Sequence, residues 1–330
     1  MIADYLHFDP EQEAQRIATS MRTLLREALN RRGFIVAISG GVDSAVCSAL
    51  AVRALGPERV FGLLLPERDS ASESSERGRA VAETLRINYT LFDIAPTLEA
   101  LGCYRARDTA IRNLFPEYTD AWKNKITIAG GKTGGYNYFK LIVQDPAGNI
   151  QESRLDSKNY LQIVAATNFK QRVRKTVEYF HADRLHYAVV GTPNRVEYDQ
   201  GFFVKNGDGA ADIKPISHLY KTQVYALARH LGLPEAVCSA QPSTDTYSMI
   251  QNQEEFYFAL PYDRMDISLL AFNRGISAED LAQELSISTE QASIIYQDIT
   301  AKRRATAPLH WPALLIDSVE GPLSPPAIAI

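Results

Sequence analysis

Six consecutive residues, Ser39-Gly40-Gly41-Val42-Asp43-Ser44, combine the groups that a nucleotide phosphate requires. Two glycines let the backbone turn sharply and bring its N–H groups against an anion. Asp43 offers a carboxylate to the magnesium that accompanies phosphates, and Ser39 and Ser44 offer hydroxyl donors. The preceding Ile35, Val36, Ala37 and Ile38 form a continuous apolar run, as expected of a buried parallel strand. Residues 45–55 then read as a helix whose positive end would lie behind the phosphates. Taken alone, the six residues also suit a strand-to-helix turn with Asp43 or Ser44 as an ordinary N-cap. Two other phosphate motifs do not fit: the loop lacks the Walker lysine, and Gly-x-Gly-x-x-Gly is absent. Gly131-Lys132-Thr133 has a Walker-like ending, but Ile126 stands where the first glycine belongs, and a turn is the simpler reading.

Three later stretches carry further candidates. Residues 168–175, Asn-Phe-Lys-Gln-Arg-Val-Arg-Lys, fall on a helix with an apolar stripe of Phe169, Val173, Val177 and Phe180, leaving Arg172 on the other face near Asn168 and Lys175. Such a basic face reads first as solvated, with an anion clamp as the alternative. Residues 191–197 follow a strand, so Thr192 and Glu197 emerge at the sheet edge where Asp43 does. There Glu197 could serve as a second carboxylate for magnesium, which takes one or two beside substrate phosphates. Residues 206–209, Asn-Gly-Asp-Gly, signal a hairpin turn. Lys221, at the start of a helix, reads by itself as a surface lysine.

The elements that must position these groups alternate. Strands are expected at residues 60–65, 89–94 and 187–191, and helices at 73–85 and 155–180, which gives an α/β fold with a doubly wound parallel sheet. Ligands of such sheets sit at the carboxyl ends of strands, where the loop after residue 38 lies. Residues 103–152 break the pattern and read as an insertion or lid, with a possible hairpin around residues 140–143 and 150. From residue 219 onward the chain reads as mostly helical, through 231, then at 265–273, 278–285 and 289–304. The proline-rich residues 308–326 read as a tail laid over a surface.

Composition narrows the class. The 330 residues are 45% hydrophobic and 22% charged, ordinary for a soluble globular protein. No apolar run approaches a membrane span, and the acidic N-terminus does not resemble a secretory leader, so a cytoplasmic location is expected. The net charge of -4 argues against a nucleic-acid partner. Cys47, Cys103 and Cys238 are too scattered for a disulfide framework or a metal site, and the six histidines make no ligand pattern.

The loop Ser-Gly-Gly-Val-Asp-Ser resembles the pyrophosphate loop of the N-type ATP pyrophosphatases, which split ATP into AMP and pyrophosphate. With Gly191-Thr192, Glu197, Gly201-Phe202-Phe203, Lys205, Gly207-Asp208-Gly209, Ala211-Asp212, Pro215, Lys221, Leu231-Gly232, Pro242-Ser243 and Lys302-Arg303, the chain is similar to the ammonia-dependent NAD synthetases within that superfamily. The resemblance implies a Rossmann-like adenine nucleotide alpha hydrolase fold over residues 1–330 as a single domain, with the insertion at about 103–152 and a mainly helical region from about 246. It implies synthesis of NAD from deamido-NAD, ATP and ammonia through an acyl-adenylate. Ala37, Ile38, Ser39, Gly40, Gly41, Val42, Asp43, Ser44, Thr192, Lys221 and Ser243 would contact ATP, with Asp43 and Lys221 catalytic. Asp43 and Glu197 would hold magnesium, and Arg172, Lys205, Asp212 and Lys302 would contact deamido-NAD. A homodimer is implied too.

The chain departs from the family pattern at several places. Pro193-Asn194 stand where the family has Asp-His, Ala301-Lys302 where it has His-Lys, and Glu254 where an aspartate is usual. The alternative on this scaffold is a related amide ligase that adenylates a different carboxylate. The glutamine-dependent members carry a large N-terminal domain, whereas about thirty residues precede the first strand here. Free ammonia, or a separate amidotransferase, is therefore the expected nitrogen source. The insertion and residues 253–255 are candidate covers for the adenylate.

Overall fold

The computed structural model describes residues 2–129, 138–241, 247–249 and 260–317. Its strands are β1 (Phe34–Ala37), β2 (Val60–Leu64), β3 (Asn88–Leu91), β4 (Lys123–Ala129), β5 (Tyr138–Gln144), β6 (Ile150–Arg154) and β7 (Ala188–Val190). Its helices are α1 (Pro10–Thr23), α2 (Val42–Leu55), α3 (Ser72–Thr84), α4 (Ala95–Ala100), α5 (Cys103–Arg112), α6 (Ser157–Leu185), α7 (Arg195–Gln200), α8 (Lys221–His230), α9 (Glu235–Cys238), α10 (Tyr262–Asn273), α11 (Ala278–Leu285) and α12 (Thr289–His310).

The main sheet is parallel, in the order β3-β2-β1-β7. Side chains alternate across it, so both faces must be covered. Phe34 and Val36 pack in one core with Met21 of α1, Leu50 of α2 and Leu227 of α8. Ile35 and Leu63 pack in another, with Leu98 of α4, Tyr104 of α5 and Val173 of α6. The chain runs outward from β1 to β3 and then crosses to β7 on the other side of β1. The crevice where strand order reverses opens beyond the carboxyl ends of β1 and β7, the position at which such sheets bind ligands.

The doubly wound α/β sheet expected from the sequence is present, with strand and helix ends moved by a few residues. Helix α2 begins at Val42 with Gly41 as its N-cap, so Asp43 is in the first turn and is not the cap. Helix α6 is longer than expected, and its stripe is not its buried face: Val173 is buried, whereas Phe169 and Phe180 are exposed. Lys170, Lys175 and Glu178 are buried instead, because each finds an oppositely charged partner inside.

The described residues between 103 and 152 hold more regular structure than their pattern suggests. They contain α5 and most of a three-stranded antiparallel sheet, β4-β5-β6. A core of Ile111, Phe115, Tyr118, Ile126, Leu141 and Ile163 lies beneath it. Three buried polar residues hide the period. Asn124 occupies a fully buried strand position, where its Nδ2 donates to the Tyr118 hydroxyl (2.8 Å), and Arg107 and Asp108 occupy buried positions of α5.

The Asn-Gly-Asp-Gly turn is not flanked by a strand pair among the described residues. Asp208 Oδ1 accepts from the Val204 N–H (2.7 Å) and closes the turn on itself. Helix α12 continues through Pro308 to His310, past its expected end at 304. Beyond Trp311, whose carbonyl accepts from Lys205, the expected tail is not laid over a surface as far as it is described: Leu314, Leu315 and Ile316 are exposed. Gly131-Lys132-Thr133, residues 253–255 and the rest of the expected tail lie outside the described residues. Among those residues, no helix is long and apolar enough to cross a membrane.

Candidate active site

The loop after β1 is held from two sides. Gly40 has φ +82°, and a Cβ there would lie 2.2 Å from the Ser74 carbonyl oxygen of α3, so only glycine fits. The Ser44 hydroxyl accepts from the Ser39 N–H (3.2 Å) and donates to the Gly41 carbonyl (3.0 Å). Arg77 of α3 donates through Nε to the Gly40 carbonyl (3.1 Å), which brings a cation beside the loop.

Asp43, projecting from the first turn of α2, is gripped through both oxygens. Its Oδ2 accepts from Lys221 Nζ, and its Oδ1 accepts from Asn194 Nδ2 (3.1 Å). Glu197 Oε1 lies 4.0 Å from the same ammonium. Lys221 is therefore no surface lysine: it is 4% exposed. Burial pushes its pKa down, but the carboxylates of Asp43 and Glu197 outweigh burial and hold it above the ordinary lysine value. It is a fixed cation, suited to charge stabilisation and unsuited to proton abstraction. The nearby Cys47 thiol is pushed up strongly by burial and further by Asp43 and Glu197, which leaves it inert as a nucleophile.

A cavity of about 1160 Å³ begins at this cluster. It is lined by all eight residues from Ala37 to Ser44 and by Thr192, Glu197 and Lys221. Arg172, Lys205 and Lys302 line it as well, so the basic face of α6 borders the cavity and is not simply solvated. Each of these three cations is engaged: Arg172 Nε with the Lys205 carbonyl (3.3 Å), Lys205 Nζ with the Pro308 and Trp311 carbonyls (2.8 and 3.0 Å), and Lys302 Nζ with Asp298 (2.6 Å). Ile128, Tyr138 and Phe139 of the antiparallel sheet form part of the cavity wall.

Asp212 stands apart from the other expected dinucleotide contacts. Its Oδ2 accepts from the Val189 N–H (2.7 Å) and its Oδ1 from the Tyr179 hydroxyl (3.3 Å), which ties it to β7, and it is not among the cavity-lining residues. Ser243 lies outside the described residues. Sequence reasoning passed over Arg77 and Glu178, and gave Lys175 and Asp208 no role of their own; all four line the cavity. Burial raises the Glu178 and Asp208 carboxyls above their ordinary values, although Lys175 Nζ pairs with Glu178 at 2.6 Å. Lys175 left a signal in the basic face of residues 168–175, and Asp208 in its place inside the Asn-Gly-Asp-Gly turn.

A family model described as NAD synthase matches residues 13–117 and 134–305. The chain belongs to the NAD synthase family. Residues 118–133, within the expected 103–152 insertion, fall between the matched stretches. The chain is similar to the NH(3)-dependent NAD(+) synthetase of Rhizobium meliloti (strain 1021), 54% identical over 319 residues, 96% of this chain and 95% of the relative. The enzyme of the same name from Thermotoga maritima is 36% identical over 286 residues, 86% of this chain and 94% of the relative. Two solved structures share the fold: NMN synthetase from Francisella tularensis (TM-score 0.66, 22% identity, 94% of this chain and 100% of that one) and NH3-dependent NAD synthetase from Campylobacter jejuni (TM-score 0.62, 20% identity, the same coverage).

Proposed function

We propose that this chain makes NAD from deamido-NAD, ATP and ammonia through an acyl-adenylate, releasing AMP and pyrophosphate. One observation carries the reading: a single cavity runs from the glycine loop and the Asp43–Lys221–Glu197 cluster to Arg172, Lys205 and Lys302. ATP phosphates and an anionic dinucleotide could therefore meet in it. Relatives 54% and 51% identical that bear the name NH(3)-dependent NAD(+) synthetase support the same reading.

A carboxylate is a poor electrophile toward ammonia. Attack by a carboxylate oxygen of deamido-NAD on the α-phosphorus forms an acyl–phosphate bond and breaks the bond to pyrophosphate. Ammonia then attacks the carbonyl carbon, AMP leaves with that oxygen, and a proton is lost from nitrogen. The residues act by placement and charge. Loop N–H groups and Ser39 would hold the departing pyrophosphate, and Lys221 would offset the charge growing there. Arg172, Lys205 and Lys302 would hold deamido-NAD, and Thr192 would contact ATP. The antiparallel sheet would screen the adenylate from water.

Asp43 and Glu197 are hard oxygen donors turned toward one buried cation, and two carboxylates are what magnesium takes beside phosphate oxygens, so the pair fits that ion. Bound there, magnesium would neutralise charge on pyrophosphate as it leaves. A homodimer, a single NAD synthase-like domain, a cytoplasmic location and free ammonia or a separate amidotransferase as nitrogen source complete the proposal.

The test is incubation with ATP, magnesium, ammonium and deamido-NAD, followed by chromatography of nucleotides. Equal yields of NAD and AMP are expected. Folded protein that forms neither, or that forms AMP only with another acid from a panel of carboxylates, would refute the reading.

A further inference from the structure

We propose that Asn194 is a positioning residue that fixes the Asp43 and Glu197 carboxylates relative to each other for the divalent cation accompanying ATP; this rests on the function proposed above. Asn194 is 1% exposed and uses both ends of its amide. Its Oδ1 accepts from the N–H groups of Val196 (3.0 Å) and Glu197 (3.1 Å) and so caps α7. Its own N–H donates to Glu197 Oε2 (3.3 Å), completing a capping box. The remaining Nδ2 reaches across to Asp43 Oδ1 (3.1 Å).

One side chain thus touches the backbone that carries Glu197 and the carboxylate of Asp43. With Asp43 Oδ1 and Glu197 Oε2 held by Asn194, the oxygens turned to the Lys221 ammonium are Asp43 Oδ2 and Glu197 Oε1. The plane of each carboxylate is set by the same residue. Capping alone does not require asparagine, because serine and aspartate cap equally well. The bridge does require it: serine is too short to accept from the helix and also reach Asp43, and aspartate has no donor and would set a like charge against Asp43.

This difference supplies the test. Asn194→Ser and Asn194→Asp keep the cap and remove the bridge. Both are compared with wild type and Asp43→Asn by titrating Mn2+ in the presence of a non-cleavable α,β-methylene ATP, by thermal melting, and by the magnesium dependence of AMP formation. Partners that orient metal ligands are worth about 10- to 100-fold in affinity. Weakening of Mn2+ by about tenfold in Asn194→Ser is expected, with a melting temperature near wild type and turnover recovered at high magnesium. Wild-type Mn2+ affinity in a folded Asn194→Ser, or a loss that excess magnesium does not repair, would overturn the positioning role. Should Asn194→Ser fail to fold, the same outcomes are read from Asn194→Thr, which also caps without the bridge and adds no charge. Nucleotide-dependent Mn2+ binding that is also unchanged in Asp43→Asn would instead overturn the assignment of Asp43 itself.

Discussion

Lys221 and Asp43, 178 residues apart in the sequence, form a buried hydrogen-bonded ion pair at the head of the glycine loop. Glu197 shares the ammonium from 4.0 Å. Replacing Lys221 by glutamine leaves two carboxylates facing each other with no cation between them. Loss of one partner of a fully buried pair costs about 3–5 kcal/mol, and slightly less is expected here because the carboxylates are partly exposed. Lys221→Gln should melt lower than wild type and regain part of the difference when magnesium is added, while wild type responds little. Turnover should fall by about 10²- to 10³-fold, the usual cost of losing one charge-stabilising donor. Melting with and without magnesium, beside a steady-state assay, checks both.

Gly40 presents a separate, steric prediction. At φ +82°, with the Ser74 carbonyl 2.2 Å from the position of a Cβ, alanine must push α3 away from the loop. Backbone strain of this kind costs about 1–3 kcal/mol. Gly40→Ala should lower stability by that amount in urea unfolding and weaken ATP binding more than deamido-NAD binding. Unchanged ATP affinity would contradict the role of this turn.

Asp266 of α10 supplies a pH dependence. It is fully buried and accepts from the Lys221 N–H (3.2 Å), the Thr222 N–H (2.7 Å) and the Thr222 hydroxyl (2.8 Å), fixing the start of α8. Burial raises its pKa from 3.8 to about 6, outweighing those hydrogen bonds. A raised carboxyl makes the folded state hold more protons than the unfolded chain between these two values. Its contribution to stability therefore falls as pH rises through that window and is flat above it. The stability of wild type relative to Asp266→Asn should drop by roughly 2 kcal/mol between pH 4 and pH 7. Urea unfolding of both proteins across that range is the check, and a rise with pH would contradict the assignment.

Lys170 of α6 holds a buried cluster outside the cavity. Its Nζ pairs with Glu67 (2.9 Å) and Asp69 (2.7 Å), and Arg107 of α5 also binds Asp69. The cluster ties α5 to the segment after β2, where Ser70 meets the cavity. Lys170→Met should destabilise by about 3–5 kcal/mol, and adding Glu67→Gln should restore part of that. Chemical denaturation of the single and double variants measures the recovery.

How much of this was legible in the sequence depended on what each residue buries. Strands β1, β2 and β7 could be read because both faces are covered and their apolar runs are continuous. Strand β4 and helix α5 could not, because Asn124, Arg107 and Asp108 are buried with polar partners and break the expected period. Asp43 was visible from its loop. Lys221 was visible only through the family resemblance, because by itself a lysine at a helix start looks solvated until the fold brings two carboxylates to it. Asn194 stood out in the sequence only as a departure from Asp-His, since its donor points at a residue 151 positions away.

The most direct measurement follows an oxygen atom. Deamido-NAD labelled with 18O in its carboxylate is incubated with the protein, ATP, magnesium and ammonium, and the products are weighed by mass spectrometry. Formation of an acyl-adenylate requires NAD together with AMP carrying one 18O, and unlabelled pyrophosphate. NAD formed with unlabelled AMP, or label recovered in inorganic phosphate beside ADP, would contradict it.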